Sequence, residues 1–112
     1  MIELARAIAV CAVADIPLEG GVAALVDGVA VAVFRTHDGS VHAIGNVDPF
    51  SGASVLSRGI VGTRGEAPVV SSPMYKQAFD LRTGACLDDP SVSVMSYDVS
   101  VVDGVVLVRG VR

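Results

Sequence analysis

Val22-Ala23-Ala24-Leu25-Val26-Asp27-Gly28-Val29-Ala30-Val31-Ala32-Val33-Phe34 is the stretch from which the fold is read. Two runs of β-branched and small apolar residues flank Asp27-Gly28. That pair tolerates positive φ at both central positions of a two-residue turn, so the segment predicts a β-hairpin. In its second arm Val29, Val31 and Val33 alternate with alanines, giving one bulky face and one thin enough for close packing. The pattern recurs near the other end, where Val99-Ser100-Val101-Val102 and Val105-Val106-Leu107-Val108 flank Asp103-Gly104. A third turn at His37-Asp38-Gly39-Ser40 leads into Val41-His42-Ala43-Ile44. Both ends of the chain therefore read as antiparallel sheet.

The whole composition agrees. The 112 residues are 52% hydrophobic and 18% charged, with valine dominant, which excludes disorder and favours strands. A chain of this length predicts a single domain over residues 1–112. The net charge of −4, with Lys76 as the only lysine, leaves no cationic face for nucleic acid and disfavours anionic membrane surfaces. No apolar run approaches the roughly 20 residues of a transmembrane helix. Residues 7–14 end in a signal-peptide-like Ala-x-Ala, yet Glu3 stands where a basic region belongs; a first strand and a cytoplasmic address are expected. Cys11 and Cys86 form no metal-ligand pattern and are expected to be buried, reduced thiols.

The middle of the chain reads differently. Residues 45–89 hold Pro49, Pro68 and Pro73 and many glycines, with a short helical turn expected at 54–57 and otherwise loops. Two segments carry the information: Gly45-Asn46-Val47-Asp48-Pro49-Phe50-Ser51-Gly52-Ala53, and Ser72-Pro73-Met74-Tyr75-Lys76-Gln77-Ala78-Phe79-Asp80-Leu81-Arg82-Thr83-Gly84. Their frame resembles the Rieske iron–sulfur domain, in which Cys-Pro-His-x-Gly is followed by Cys-Pro-x-His-Gly-x-x-Phe-Asp-x-x-Thr-Gly. Pro49, Gly52, Pro73, Phe79-Asp80 and Thr83-Gly84 stand in the frame. The ligands do not: Asp48 and Ser72 take the cysteine positions, Phe50 and Tyr75 the histidine positions. A cluster of this type needs two thiolates on one iron and two imidazoles on the other. None is expected to bind, and His37 and His42 lack the companions of a metal site.

The particular replacements, with Val55-Leu56-Ser57-Arg58-Gly59-Ile60-Val61-Gly62 between the loops and Cys86-Leu87-Asp88-Asp89-Pro90 after them, resemble the small subunits of assimilatory NAD(P)H-dependent nitrite reductase. The resemblance implies an all-β, Rieske-like fold of antiparallel sheets, a β-sandwich or partial barrel, with residues 45–89 as the former cluster-binding loops. It implies a large partner subunit carrying FAD, an iron–sulfur cluster and sirohaem, which passes electrons from the nicotinamide cofactor to nitrite and yields ammonium. No catalytic, cofactor-binding or metal-binding residue is then expected on this chain. Phe50 is expected to fill the former cluster site. Tyr75, Lys76 and Met74, with Arg58 and Arg64 on a connection between the loops, are the candidates for docking the large subunit. The alternative is a non-enzymatic protein-binding module on the same degenerate scaffold.

Overall fold

A computed structural model describes residues 7–111. The Glu3 part of the N-terminal argument lies outside the described residues. Among the described residues nine strands form two antiparallel sheets. The larger is built from β1 (Ile8–Ala12), β2 (Gly20–Val26), β3 (Val29–Arg35), β4 (Val41–Gly45), β8 (Ser96–Val102) and β9 (Val105–Val111), in the order β1-β9-β8-β4-β3-β2. Its edge strands β1 and β2 approach each other, so the sheet nearly closes into a barrel. The smaller sheet is β5 (Ile60–Arg64), β6 (Ala67–Ser71) and β7 (Ala78–Asp80).

The two Asp-Gly turns form as the sequence predicts. Asp27 and Gly28 take φ of 51° and 80°, Asp103 and Gly104 take 52° and 78°, and each pair closes a register-perfect hairpin end, Val26 opposite Val29 and Val102 opposite Val105. Residue alternation in β3 then divides the interior. Val31 and Val33 point into the barrel with Ile16, Ala43, Tyr97, Val106 and Val108. Ala32 and Phe34 point the other way, onto Leu56, Val61, Val70, Phe79 and Leu81. This second cluster glues the small sheet to the barrel wall, and burying each large side chain in it contributes roughly 1.5–3 kcal/mol.

Three local expectations are corrected. Residues 60–71 form the β5–β6 hairpin where the sequence suggested a plain connection over 58–65. The helical turn is one turn of 3-10 helix at Leu56–Arg58, beginning two residues and ending one residue later than expected. Cys86 is buried but Cys11 only half so, and both thiols are free.

Candidate functional site

Three loops, one after β4 of the larger sheet and two beside β7 of the smaller, are built on one hydrogen-bond plan. In each, a leading residue donates its N–H to the carbonyl five residues on and accepts at its own carbonyl the N–H of the residue four on. Its side chain accepts the N–H two residues on, a local bond for which Asp and Ser are the natural residues. Asp48 does so with Ala53 (2.8 Å), Gly52 (2.7 Å) and Phe50 (2.8 Å). Ser72 does so with Gln77 (3.0 Å), Lys76 (3.0 Å) and Met74 (3.2 Å). Asp80 does so with Ala85 (2.8 Å), Gly84 (2.7 Å) and Arg82 (2.8 Å). The residue four on from each leading residue is left-handed, with φ of 78° at Gly52, 67° at Lys76 and 81° at Gly84.

The first two loops meet through their leading side chains. Ser72 Oγ donates to Asp48 Oδ2 at 2.5 Å, and both residues are buried. A continuous path therefore runs from the Met74 N–H through the Ser72 hydroxyl to the Asp48 carboxyl, whose other oxygen takes the Phe50 N–H. Asn46, which the sequence analysis passed over, braces the first loop: Nδ2 donates to Ser54 Oγ (2.8 Å) and Oδ1 accepts the Ser57 N–H (2.7 Å). Polar groups buried this deeply are tolerated because each finds a partner.

The four former ligand positions are thus committed to other work. The Asp48 carboxyl and Ser72 hydroxyl satisfy each other. Phe50 has no lone pair; it turns inward against the second core cluster, its ring centroid 6.3 Å from that of Phe79. Tyr75 points away and is 58% exposed. These residues do not fit a [2Fe–2S] centre of the Rieske type, which takes two thiolates and two imidazoles. Among the described residues no group of three or more His, Cys, Asp or Glu is arranged to hold a metal ion.

Of the docking candidates, Met74, Tyr75 and Lys76 form an exposed tip on the second loop, flanked in sequence by exposed Pro73. Phe50 does not join that surface. Arg58 is exposed at the end of the 3-10 turn. Arg64 is engaged within the chain: Nη1 lies 2.9 Å from Asp88 Oδ1, while Asp88 Oδ2 accepts the Ala78 N–H. Those two contacts hold the Asp88 carboxyl below its ordinary range, the backbone N–H contributing most.

The structure also assembles a cleft of about 440 Å³ that sequence reasoning missed, between the β3–β4 turn and the β5–β6 hairpin. His37 and His42 both line it, with Asp38, Glu66 and Arg82. Arg82 is held there by a two-pronged contact, Nε to Asp80 Oδ1 (3.1 Å) and Nη2 to Asp80 Oδ2 (2.9 Å). This fork is the main reason that the Asp80 carboxyl titrates below its ordinary value of 3.8. A carboxyl depressed on folding stabilises the protein above its unfolded pKa and loses that contribution as pH falls through the lowered folded value. Asp80→Asn is accordingly expected to flatten the acid limb of the melting temperature measured from pH 7 to pH 2. An acid limb identical to the parent's would show that the fork carries no stability.

Over residues 7–109 the sequence matches the family described as the Rieske-like [2Fe-2S] domain. The nitrite reductase (NADH) small subunit of Salmonella typhimurium is 47% identical over 102 residues, spanning 90% of this chain and 94% of that protein. A crystal structure from Mycobacterium tuberculosis, assigned as an NADH-dependent nitrite reductase small subunit, superposes with a TM-score of 0.91 at 51% identity. The match covers 98% of this chain and 97% of that one. The nitrite reductase [NAD(P)H] large subunit of Klebsiella oxytoca is 40% identical over 100 residues, which are 89% of this chain but only 10% of that protein. Fold, loop frame and relatives agree: the chain belongs to the Rieske-like [2Fe-2S] domain family and, within it, to the small subunits of nitrite reductase.

Proposed function

We propose that the chain serves nitrite reductase as a non-redox docking subunit, bound to the large subunit and supporting its assembly or activity. The observation that carries the pairing is the Klebsiella relative, in which a sequence of this kind forms a tenth of a polypeptide named as the large subunit. A segment joined covalently in one organism and separate in another points to two surfaces that work in contact. The donor set at 48, 50, 72 and 75 argues that the contribution is not electron relay. On this reading FAD, an iron–sulfur cluster and sirohaem belong to the large subunit. The complex reduces nitrite to ammonium in the cytoplasm as part of nitrate assimilation, and residues 1–112 act as one domain with no nucleic-acid or membrane partner. Among the described residues no helix is long and apolar enough to cross a membrane.

The docking face is centred on the tip Met74, Tyr75 and Lys76, with Arg58 as a further candidate and the Asp88-paired Arg64, at the far end of the β5–β6 hairpin, as the outlying one. Aromatic, Met and Arg side chains are enriched in such surfaces, and a few of them carry most of the energy. Tyr75→Ala is expected to weaken binding to the large subunit by about 2 kcal/mol while leaving the melting temperature of the free chain nearly unchanged, because the ring is exposed. Titration of purified small subunit into large subunit, read by calorimetry and by nitrite-dependent NAD(P)H oxidation, checks both. The small subunit itself is expected to be colourless and free of iron and acid-labile sulfide. Rieske-type absorption bands with stoichiometric iron, or unaltered binding by Tyr75→Ala, sink the respective halves of the reading.

A further inference from the structure

The three loops make Lys76 conspicuous. Their shared plan needs a left-handed residue four on from the leading one, and glycine provides it at Gly52 and Gly84. Lys76 holds the same conformation, φ 67°, with a β-carbon. That β-carbon crowds the following carbonyl oxygen, which is why left-handed positions favour glycine, or Asn and Asp with their short hydrogen-bonding side chains. The other left-handed non-glycine residues are Asp27 and Asp103, in hairpin turns, and Glu19, so Asp holds two of the three positions. Lysine offers no such local compensation. Nor does the loop need a side chain there: the bond that position 76 makes, its N–H to the Ser72 carbonyl, is open to glycine as well.

Left-handed residues that carry a β-carbon cluster at functional sites, and Lys76 differs from Glu19 in standing at the tip of a former ligand loop. Lys76 is also the single lysine of a chain whose net charge is −4, and it lies beside the exposed Tyr75 and Met74. We infer that Lys76 is a specificity residue of the interface, its ammonium meeting a carboxylate on the large subunit, and that the loop gives up stability to hold a cation at this point. The inference rests on the docking reading above.

It makes stability and affinity move in opposite directions. Lys76→Gly is expected to raise the melting temperature of the free chain by about 3–6 °C. The same variant should bind the large subunit about three- to tenfold more weakly, with a shallower dependence on salt. Lys76→Arg keeps the charge and should keep the affinity. Glu19→Gly is the control: Glu19 is also left-handed, φ 59°, but lines the cleft near Thr63 and Pro68, at the end of the β5–β6 hairpin away from Ser71. It should gain stability without altering binding. An unchanged affinity in Lys76→Gly overturns the inference, as does Lys76→Arg binding no better than Lys76→Gly, or a melting temperature that fails to rise. Tyr75→Ala separates the two levels. If it weakens binding while Lys76→Gly does not, the docking face stands and the charge contact falls; if neither does, both fall.

Discussion

Gly84→Ala is expected to be the most damaging glycine substitution in the three loops, costing about 4 kcal/mol or more. Two penalties coincide there. The backbone is left-handed, φ 81°, and a β-carbon would sit 2.1 Å from the Val94 carbonyl oxygen and 3.0 Å from its carbon. Neither neighbour is a side chain that swings aside; both belong to the segment whose Val94 N–H donates to the Gly84 carbonyl and whose Met95 carbonyl accepts the Gly45 N–H. Relief of the clash therefore breaks the tie between the third loop and β4. Destabilisation beyond about 4 kcal/mol is rare for a single change and is confined to mechanisms of this sort. Gly52→Ala supplies the contrast. It has the same place in its loop and nearly the same φ, 78°, yet nothing lies within 4 Å of its added methyl. Only the conformational penalty remains, about 1–2 kcal/mol. Denaturant unfolding of both variants should separate them by at least twofold in lost free energy, and equal losses would refute the steric argument.

Asp48→Ala comes second, with an expected loss of about 2–4 kcal/mol. The substitution removes the acceptor of the Ser72 hydroxyl and the Phe50 N–H at a site fully screened from solvent. Buried donors left without partners are what makes such deletions costly. Ser72→Ala should cost less, since the Asp48 carboxyl keeps its Phe50 bond. The double variant is the decisive measurement. If the Asp48–Ser72 contact holds the two loops together, the paired substitution costs less than the sum of the singles by about 1 kcal/mol or more. Strict additivity would mean that each residue serves only its own loop.

How far the sequence discloses this structure depends on how local each signal is. The Asp27-Gly28 and Asp103-Gly104 hairpins are written in adjacent residues whose φ values only a few amino acids tolerate, and both appear where expected. The β5–β6 hairpin escaped notice because its signals are thin. Along β5 only Val61 faces the core, so there is almost no alternation to read, and its turn is Gly65-Glu66 with φ 62° at the glycine. The fates of Phe50 and Tyr75 were legible from chemistry, one ring wholly apolar and the other with a polar tip. The Asp48–Ser72 contact was not, because it joins residues 24 positions apart and exists only once both loops have folded. The equivalence of the third loop was hidden for a related reason: Asp80-Leu81-Arg82-Thr83-Gly84 shares no proline with the other two, and its likeness lies in backbone bonds.

The Asp48–Ser72 bond has one more consequence. In a cluster-bearing domain the link between the loops is an electron-transfer centre, so its charge changes with every turnover. A hydroxyl–carboxyl hydrogen bond accepts no electron, is untouched by chelators and does not answer to dioxygen or thiols. The tip that it shapes therefore has no redox state of its own, and on the docking reading proposed above it keeps one geometry while the partner fills and empties with electrons. On that same reading the subunit holds its place equally well on the oxidised and the reduced enzyme, and its maturation asks nothing of the machinery that assembles iron and sulfide.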